Sequence, residues 1–248
     1  MKSVLSTLML SAATLTAIPA AAQDRAANIV LVHGAFADET SWDAVSAILS
    51  AKGYNVTQVA NPLTSLDDDV AATKAALAAQ DGPTVLVGHS WGGVVIGEAG
   101  DDPKVRALVY VSAFAPDRGE SLTALLSGGE PSDGVKAIRP DDKGGLILDA
   151  ASFPALFAGD LPQAEAEAMA ARQLPSNPAN FDAEAKVAAW HDKPNFYVVT
   201  TEDRMIPADA QRFFAGRAGA SVTEIAASHS GLVSQAEAVA EVIDAAAH

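Results

Sequence analysis

The stretch Pro83-Thr84-Val85-Leu86-Val87-Gly88-His89-Ser90-Trp91-Gly92-Gly93 decides the fold of this chain. An apolar run leads into glycines around one serine, and the helix-like run 94–99 follows. This order predicts a strand, a sharp turn and a helix. Such a turn needs small residues two positions before and two after the serine, and Gly88 and Gly92 meet that demand. The pattern is the G-x-S-x-G elbow, which exposes a serine hydroxyl.

The same turn places Ser90 where a helix begins. Unpartnered N–H groups of the first helical turn, together with the helix dipole, favour negative charge at this point. A match of this kind also arises by chance in a chain with 18 glycines. The flanking strand and helix argue against chance. The deciding test is whether a carboxylate and then a histidine follow in that order along the chain.

The candidate general base is His229. It follows the strand-like run 221–227 and precedes the last predicted helix, so we expect it in a loop at the carboxyl edge of a strand. His33 and His89 lie directly beside strands and are better suited to orienting the neighbouring backbone, whereas His191 lies in a polar segment. The remaining histidine ends the chain. The sequence therefore predicts His229 as the base.

The carboxylate partner of that histidine is expected after the preceding strand. The strand-like run 195–200 is followed at once by Glu202 and Asp203, and Asp203 has the better reach toward the loop that carries His229. Asp117 is a further alternative because it follows another predicted strand. Asp203 can equally be a residue that only caps a turn before a proline. We predict Asp203 as the acid, with Glu202 and Asp117 left open.

A site for an oxyanion is predicted at the first strand. The run 28–32 ends in His33-Gly34-Ala35-Phe36, a loop that can direct a main-chain N–H toward the serine. The second donor is the N–H of Trp91, the residue after the serine. We predict Ala35 and Trp91 as the oxyanion donors, with Phe36 as an alternative to Ala35. Gly34 and Phe36 are expected beside the substrate.

With these motifs, the chain resembles the α/β-hydrolases of the esterase and hydroxynitrile lyase group, which also contains plant methylesterases and bacterial relatives. The matching pieces extend over almost all of the chain after residue 27 and are Leu31-Val32-His33-Gly34-Ala35, Gly88-His89-Ser90-Trp91-Gly92-Gly93, Thr201-Glu202-Asp203 with Ile206-Pro207, and Ser228-His229 with Ser234. The resemblance implies an α/β-hydrolase fold, a serine nucleophile and no metal or organic cofactor.

Two departures from this group bear on the activity. The lyases that the chain resembles carry a threonine where this chain has Gly34, and a lysine directly after the catalytic histidine, where this chain has Ser230. The missing lysine removes the positive charge that would stabilise a leaving cyanide. Both departures favour hydrolysis over cyanohydrin cleavage. The serine of the elbow also argues against epoxide hydrolases and dehalogenases, which use an aspartate there, and against dienelactone hydrolases, which use a cysteine.

Composition narrows the function classes. A length of 248 residues with 49% hydrophobic content suits one domain with a sizeable core. The formal charge of −15 and the lack of a Lys/Arg cluster argue against nucleic acid as a partner. The absence of cysteine excludes disulfides, thiolate catalysis and cysteine metal sites. No feature specifies an oligomeric state.

The first 22 residues differ from the rest. Lys2 is followed by an apolar stretch over 4–18, and Ala20 and Ala22 fit a cleavage site before Gln23. This pattern predicts a secretory signal peptide over 1–22 and export to a bacterial periplasm or the exterior, without stable membrane insertion after cleavage. An uncleaved anchor is the alternative.

Beyond this segment, strand-like and helix-like runs alternate. The alternation predicts a mostly parallel sheet of about six strands flanked by helices. The predicted strands are 28–33, 55–60, 84–88, 105–112, 195–200 and 221–227, and the predicted helices between the first four are 41–52, 67–80 and 92–100. Three acidic residues at 67–69 are interpreted as a helix start rather than as a metal site. The predicted core is therefore 23–116 with 195–248.

The alternation stops over 117–194, which predicts an inserted helical lid after the strand that follows the elbow helix. Gly/Pro/Asp breaks occur at 128–131 and 140–145, and helical runs are expected near 120–127, 149–158, 162–173 and 182–190. Helices over the carboxyl ends of the strands would close an apolar pocket. The candidate wall residues are Leu125, Leu126, Phe153, Leu156, Phe157, Met169 and Trp190.

The sequence thus predicts a serine hydrolase that acts on small to medium carboxylic esters through Ser90, His229 and Asp203. The partner is a small-molecule ester. A lyase of the same fold, or a ligand-binding homologue with a slow hydrolase triad, is the alternative.

Overall fold

The computed structural model describes residues 25–248, so the predicted signal peptide lies outside the described residues. Six strands form one sheet: β1 (Asn28–Val32), β2 (Asn55–Val59), β3 (Thr84–His89), β4 (Val105–Val111), β7 (Asn195–Thr200) and β8 (Ser221–Ile225). Their order in the sheet is β2-β1-β3-β4-β7-β8, and every neighbouring pair is parallel. The prediction of a six-stranded parallel sheet is confirmed.

Helices cover both faces of the sheet because its central strands are apolar on both sides. Every residue of β1 and β3 is buried, as the near-continuous apolar runs of a parallel sheet require. One core cluster joins the sheet to α1 (Asp43–Ala51) and α11 (Ala236–Ala246). The other joins it to α2 (Leu66–Ala78), α3 (Gly92–Ala99) and α9 (Ala208–Arg217). A short 3₁₀ helix, Glu39–Trp42, precedes α1.

The acidic run 67–69 lies in the first turn of α2, as predicted. Ser65 is the N-cap, and its side chain accepts a hydrogen bond from the N–H of Asp68. Asp67 and Asp68 are exposed at the positive end of the helix dipole, where carboxylates are favourable. Asp69 differs because its side chain is buried.

The segment 117–194 lies between β4 and β7 and carries the short elements α4 (Leu122–Leu126), α5 (Asp133–Lys136), β5 (Ile138–Pro140), β6 (Leu146–Leu148), α6 (Phe153–Leu156), α7 (Gln163–Arg172), α8 (Ala179–Asp182) and a 3₁₀ helix, Ala189–His191. The helices predicted near 120–127 and 162–173 are confirmed. The helix predicted near 149–158 is reduced to one turn, α6.

The Gly/Pro/Asp break predicted at 140–145 is a turn, in which Gly144 has φ of 87°. The sequence analysis did not predict the antiparallel pair that this turn joins, β5 with β6. One prediction for this segment is wrong. The helix predicted near 182–190 does not form over 183–188. The reason is tertiary, because the N–H groups of Lys186 and Val187 donate to the carboxylate of Glu98 on α3 and so have no helical partner.

The last part of the chain returns to the core. His229 lies in the loop between β8 and α10 (Gly231–Ser234), at the carboxyl edge of the sheet. Within residues 25–248, no helix is both long and apolar enough to cross a membrane.

Candidate active site

Ser90 lies between β3 and α3 in a strained conformation. Its φ is 54°, in the left-handed region that non-glycine residues rarely adopt, and its side chain is near the surface of a cavity. A Cβ on Gly88 would lie 2.4 Å from the carbonyl oxygen of Gly92, and a Cβ on Gly92 would lie 2.5 Å from that of Val32. The elbow therefore requires both glycines that the motif supplies.

The loop after β1 approaches Ser90 closely. A Cβ on Gly34 would lie 2.6 Å from the Cβ of Ser90. Both ring nitrogens of His33 are engaged: Nδ1 donates to the carbonyl of Gly34 at 2.9 Å, and Nε2 accepts the N–H of Asn61 at 3.0 Å. Burial lowers the pKa of His33. The neutral ring therefore fixes this loop, the backbone role that its position beside a strand predicts.

Phe36 and Trp91 complete the surroundings of the serine. Phe36 has φ of 62°, so the chain turns sharply after Ala35. Ala35, Phe36, Ser90 and Trp91 line one cavity together. Trp91 precedes the first turn of α3, where main-chain N–H groups have no acceptor within the helix.

His229 and Asp203 are paired in the interior. The His229 Nδ1 lies 2.7 Å from the Asp203 Oδ2, and the two side chains are 1% and 0% exposed. Since a carboxylate only accepts, Nδ1 donates the hydrogen bond. The main-chain carbonyl of His229 accepts a hydrogen bond from Nε2 of His89, the residue before the elbow serine, at 2.9 Å.

Asp203 is held on all sides by donors. Its Oδ1 accepts the N–H groups of Met205 and Ile206 at 2.7 and 2.9 Å. Its Oδ2 accepts from Thr200 Oγ1 at 3.0 Å and from Gln211 Nε2 at 2.9 Å, besides the histidine. These bonds fix the carboxylate in one orientation. The sequence analysis missed Thr200 and Gln211, and the only signal for Gln211 is its position one turn into the helix that follows the acid.

The other candidate acids lie elsewhere. Asp117 is partly exposed and contacts His191 Nε2 at 3.0 Å, which holds the pKa of that carboxyl below its ordinary value. The side chain of Glu202 is exposed. Of the three carboxylates, Asp203 is the one that the structure brings to His229.

The loop around His229 is tied to the segment 117–194. The carbonyl of Phe157 accepts the N–H of Ser230 at 3.0 Å. The Phe157 ring packs edge-on against the His229 ring, with centroids 4.8 Å apart. Asp160 accepts hydrogen bonds from the hydroxyls of Ser228 and Ser234. Ser230, at the position of the lyases' lysine, therefore has a local structural role.

The cavity in front of Ser90 is apolar and narrow. Its volume is about 40 Å³, enough for a few water molecules. The residues that complete its lining come mainly from the segment 117–194 and from the loop after Asp203; they are Phe114, Leu122, Leu126, Val135, Ile138, Phe181, Met205 and Ile206. Leu126 was predicted as a wall residue, whereas Phe181 and the hairpin residue Ile138 carry no sequence signal that marks them.

The predicted wall residues separate into several places. Leu125 lines a neighbouring cavity of about 170 Å³ that shares Phe114, Leu126, Met205 and Ile206 with the first. Phe153 is buried and lines a third, smaller cavity together with Phe36 and Met169. Phe157 packs on His229, and Leu156 is buried beside it. Trp190 lies outside these cavities: its indole N–H donates to the carbonyl of Pro116 at 2.9 Å, and its ring packs under Arg217.

Residues 25–248 contain no group of three or more His, Cys, Asp or Glu side chains placed to hold a metal ion. The three adjacent aspartates of α2 illustrate this. Asp67 pairs with Lys186, Asp68 accepts a hydrogen bond from the hydroxyl of the N-cap Ser65, and Asp69 is buried beneath the elbow.

Proteins of known sequence are similar to this chain. A pyrethroid hydrolase from Sphingobium wenxiniae is 29% identical over 246 residues, which covers 87% of this chain and 86% of that protein. A carbendazim-hydrolysing esterase from Nocardioides is 34% identical over 114 residues, 40% of this chain. Methylesterase 7 from Arabidopsis thaliana is 36% identical over 106 residues, 36% of this chain. The last two matches span 47% and 41% of those proteins, so the chain covers about half of their length.

Solved structures are similar to this chain as well. The pyrethroid hydrolase from Sphingobium faniae superposes with a TM-score of 0.75 at 25% identity, covering 90% of this chain and 97% of that one. The family model described as the alpha/beta hydrolase family matches residues 29–242. The predicted resemblance to esterases and plant methylesterases is confirmed. By this match and by its sheet, the chain belongs to the alpha/beta hydrolase family.

Proposed function

We propose that this protein is a carboxylic ester hydrolase that uses Ser90, His229 and Asp203 through an acyl-enzyme intermediate. The observation that carries the proposal is the buried hydrogen bond between His229 Nδ1 and Asp203 Oδ2. His89, the residue before the strained Ser90, bonds to the main-chain carbonyl of this histidine. Relatives named as esterases and hydrolases support the reaction class.

In the first half-reaction, His229 acts as a general base. Because Asp203 accepts from Nδ1, the proton sits there and the Nε2 lone pair is free to take the proton of Ser90 as its hydroxyl attacks the ester carbonyl. Asp203 then stabilises the imidazolium. The histidine returns the proton to the leaving alcohol, and the acyl group remains on the serine.

The oxyanion of the tetrahedral intermediate is bound by the main-chain N–H groups of Ala35 and Trp91. Both residues line the cavity with Ser90, and the dipole of α3 adds positive potential at Trp91. Removing one such donor in other enzymes costs about 2.7–4 kcal/mol of transition-state stabilisation. In the second half-reaction His229 takes a proton from water as the water attacks the acyl carbonyl, and the histidine then returns this proton to the Ser90 oxygen as the carboxylic acid leaves.

The segment 117–194 is proposed as the lid. It supplies several of the apolar walls around Ser90, and a cavity of about 40 Å³ has to widen before an ester binds. The adjacent cavity of about 170 Å³ suits the larger half of a small to medium ester. The walls of the cavity at Ser90 are mainly apolar, which favours an uncharged acyl chain over a polar one.

Cyanohydrin cleavage is the less supported alternative. A side chain at position 34 would clash with Ser90, because a Cβ there would lie 2.6 Å from the serine Cβ. Ser230 supplies no positive charge to a leaving cyanide. Export through the N-terminal 22 residues is proposed on their sequence alone, and N-terminal sequencing of exported protein should begin at Gln23.

The test is hydrolysis of p-nitrophenyl esters of graded acyl length by the purified protein beside Ser90→Ala. We expect turnover that Ser90→Ala abolishes, and an acyl-length optimum that reports the pocket. Ser127→Ala is the matched control, since Ser127 is exposed on the segment 117–194 and its hydroxyl bonds only to Ala124. Folded protein without ester turnover, or with release of cyanide and aldehyde from cyanohydrins instead, would contradict the proposal.

A further inference from the structure

A buried carboxylate that takes no part in the hydrolytic steps lies beneath the elbow. Asp69, in the first turn of α2, is fully buried. Its Oδ2 accepts the indole N–H of Trp91 at 2.7 Å, and its Oδ1 accepts the main-chain N–H of Leu63 at 2.8 Å. Burial raises the pKa of Asp69 to about 6, against the opposing effect of these two bonds, and the charge of Asp68 adds to the rise. Burying a carboxylate costs free energy of folding, so its presence here indicates a specific role.

The second donor, Leu63, connects Asp69 to the segment 117–194. Leu63 is buried with φ of 57°, a left-handed conformation that is strained for leucine. The hydrogen bond that the Leu63 N–H donates to Asp69 holds this conformation. The Leu63 carbonyl in turn accepts the N–H of Asn177 at 2.9 Å and the side-chain amide of Asn180 at 3.0 Å. Asn180 belongs to α8, and the next residue, Phe181, lines the cavity in front of Ser90.

We propose that Asp69 is a positioning residue that aligns two parts of the site at once, the oxyanion donor Trp91 on one side and the cavity wall at Phe181 on the other. The inference rests on the proposed ester hydrolysis and adds to it a residue that sets both turnover and acyl-chain binding. The path runs from Trp91 through Asp69 and Leu63 to α8.

The chemistry of the site requires a carboxylate rather than an amide. Both oxygens of Asp69 face N–H donors, so each must accept. An asparagine can accept with one oxygen only, and its NH₂ group would point at the other donor. In Asp69→Asn the NH₂ group faces one of the two donors, so the side chain can no longer hold the indole of Trp91 and the loop at Leu63 together, although its size and shape are preserved.

The first measurement compares Asp69→Asn with Asp67→Asn on p-nitrophenyl acetate and octanoate, with rates normalised to active sites by a fluorophosphonate. Asp67 lies on the same helix turn but is exposed, paired with Lys186, so its variant is the matched control. We expect Asp69→Asn to lower kcat about tenfold or more on both esters and to raise KM on octanoate only. Unchanged kcat and KM in Asp69→Asn, or equal losses in Asp67→Asn, would overturn the proposal.

A second pair of variants separates positioning from general destabilisation. Trp91→Phe removes the indole donor from the other side and leaves the main-chain N–H in place. In the double variant Trp91→Phe/Asp69→Asn, the asparagine oxygen still accepts from Leu63 while its NH₂ group faces the phenyl ring. We expect the double variant to bind octanoate with KM closer to wild type than Asp69→Asn does. Losses in the two single variants that simply multiply would argue against the shared role.

Hydrogen exchange provides a readout that does not depend on ester turnover. The amide of Asn177, bonded to Leu63, should exchange faster in Asp69→Asn than in the wild type and stay slow in Asp67→Asn. If the wild type shows no Ser90-dependent turnover but exchange responds this way, the proposed function fails and the structural coupling stands. If exchange at Asn177 is the same in all three proteins, the coupling is wrong whatever the activity.

Discussion

The ring of His89 donates a hydrogen bond from Nε2 to the main-chain carbonyl of His229, at 2.9 Å. Because a carbonyl can only accept a hydrogen bond, Nε2 carries the proton and Nδ1 of the neutral ring is unprotonated. Burial holds the pKa of His89 well below its ordinary value, so the ring stays neutral. The residue before the elbow serine therefore fixes the backbone of the candidate base.

We expect His89→Ala to weaken both stability and turnover. It leaves the His229 carbonyl without its buried donor, which costs about 1–3 kcal/mol of unfolding free energy, and it frees the loop that aims the imidazole. Urea unfolding and kcat on p-nitrophenyl acetate measure the two effects. His89→Gln, which keeps an N–H donor, should recover part of each. Equal kcat in His89→Ala and the wild type would show that the bond has no role in positioning His229.

Asp203→Asn should lower kcat by roughly 10⁴-fold. The Asp203 Oδ1 accepts from the N–H groups of Met205 and Ile206, so an asparagine would place its oxygen there and its NH₂ group toward His229. The ring would then accept at Nδ1 and carry its proton on Nε2, where it cannot take the proton of Ser90. Single-turnover kinetics at pH 7 measure the effect.

The controls are the two other carboxylates that the sequence left open. Glu202→Gln and Asp117→Asn remove a charge near the same sheet edge, yet neither side chain bonds to His229. Both variants should retain kcat. A loss in either that matched Asp203→Asn would assign the acid to another residue.

Gly34→Ala should reduce kcat/KM by about a hundredfold, because a displacement near 1 Å at reacting groups has this effect. Its Cβ would lie 2.6 Å from the Ser90 Cβ and 3.0 Å from the carbonyl of His89, so the loop after β1 must move away from the serine. The matched control is Gly97→Ala on α3, where a Cβ meets no atom within 4 Å. That variant should keep its activity and gain about 0.5–1 kcal/mol in stability.

The ion pair of Glu120 with Arg217 joins the start of the segment 117–194 to α9. The hydrogen bond from Arg217 lowers the pKa of Glu120 below its ordinary value of 4.5. A depressed carboxyl pKa stabilises the fold above the unfolded pKa, and this stability is lost as pH falls through the folded value. Glu120→Gln should therefore have a lower Tm than the wild type at pH 7 and a smaller deficit below pH ~4.

The control for this pH dependence is Glu130→Gln, because Glu130 is almost fully exposed and its contact with Lys136 is long, at 3.7 Å. Its Tm should follow the wild type at every pH. A Tm deficit of Glu120→Gln that is constant from pH 7 to pH 3 would show that packing, rather than charge, accounts for the effect.

The sequence alone determined the sheet and the order of the functional motifs. The parallel strands could be predicted because buried apolar runs and helical periods are local properties, and the elbow because Gly88 and Gly92 answer a steric demand within five residues. The general region of the site followed from these, since parallel strands end at one edge. Asp203 was favoured over its neighbour Glu202 because its position lets it reach the loop that carries His229, and in the structure Asp203 does bond to His229.

Only the tertiary structure decided which distant groups meet. The carboxylate of Glu98 accepts the N–H groups of 186–187, which therefore do not form a helix. Trp190 packs under Arg217 and does not line one of the cavities described above. Phe181 lines the cavity at Ser90 although it belongs to a helix of only four residues. Asp69 looked like a helix-start residue, yet it joins Trp91 to Leu63 beneath the elbow. Periodicity reports which face of an element is apolar, whereas a hydrogen bond between residues far apart in sequence depends on how the elements are packed, and that information is not local.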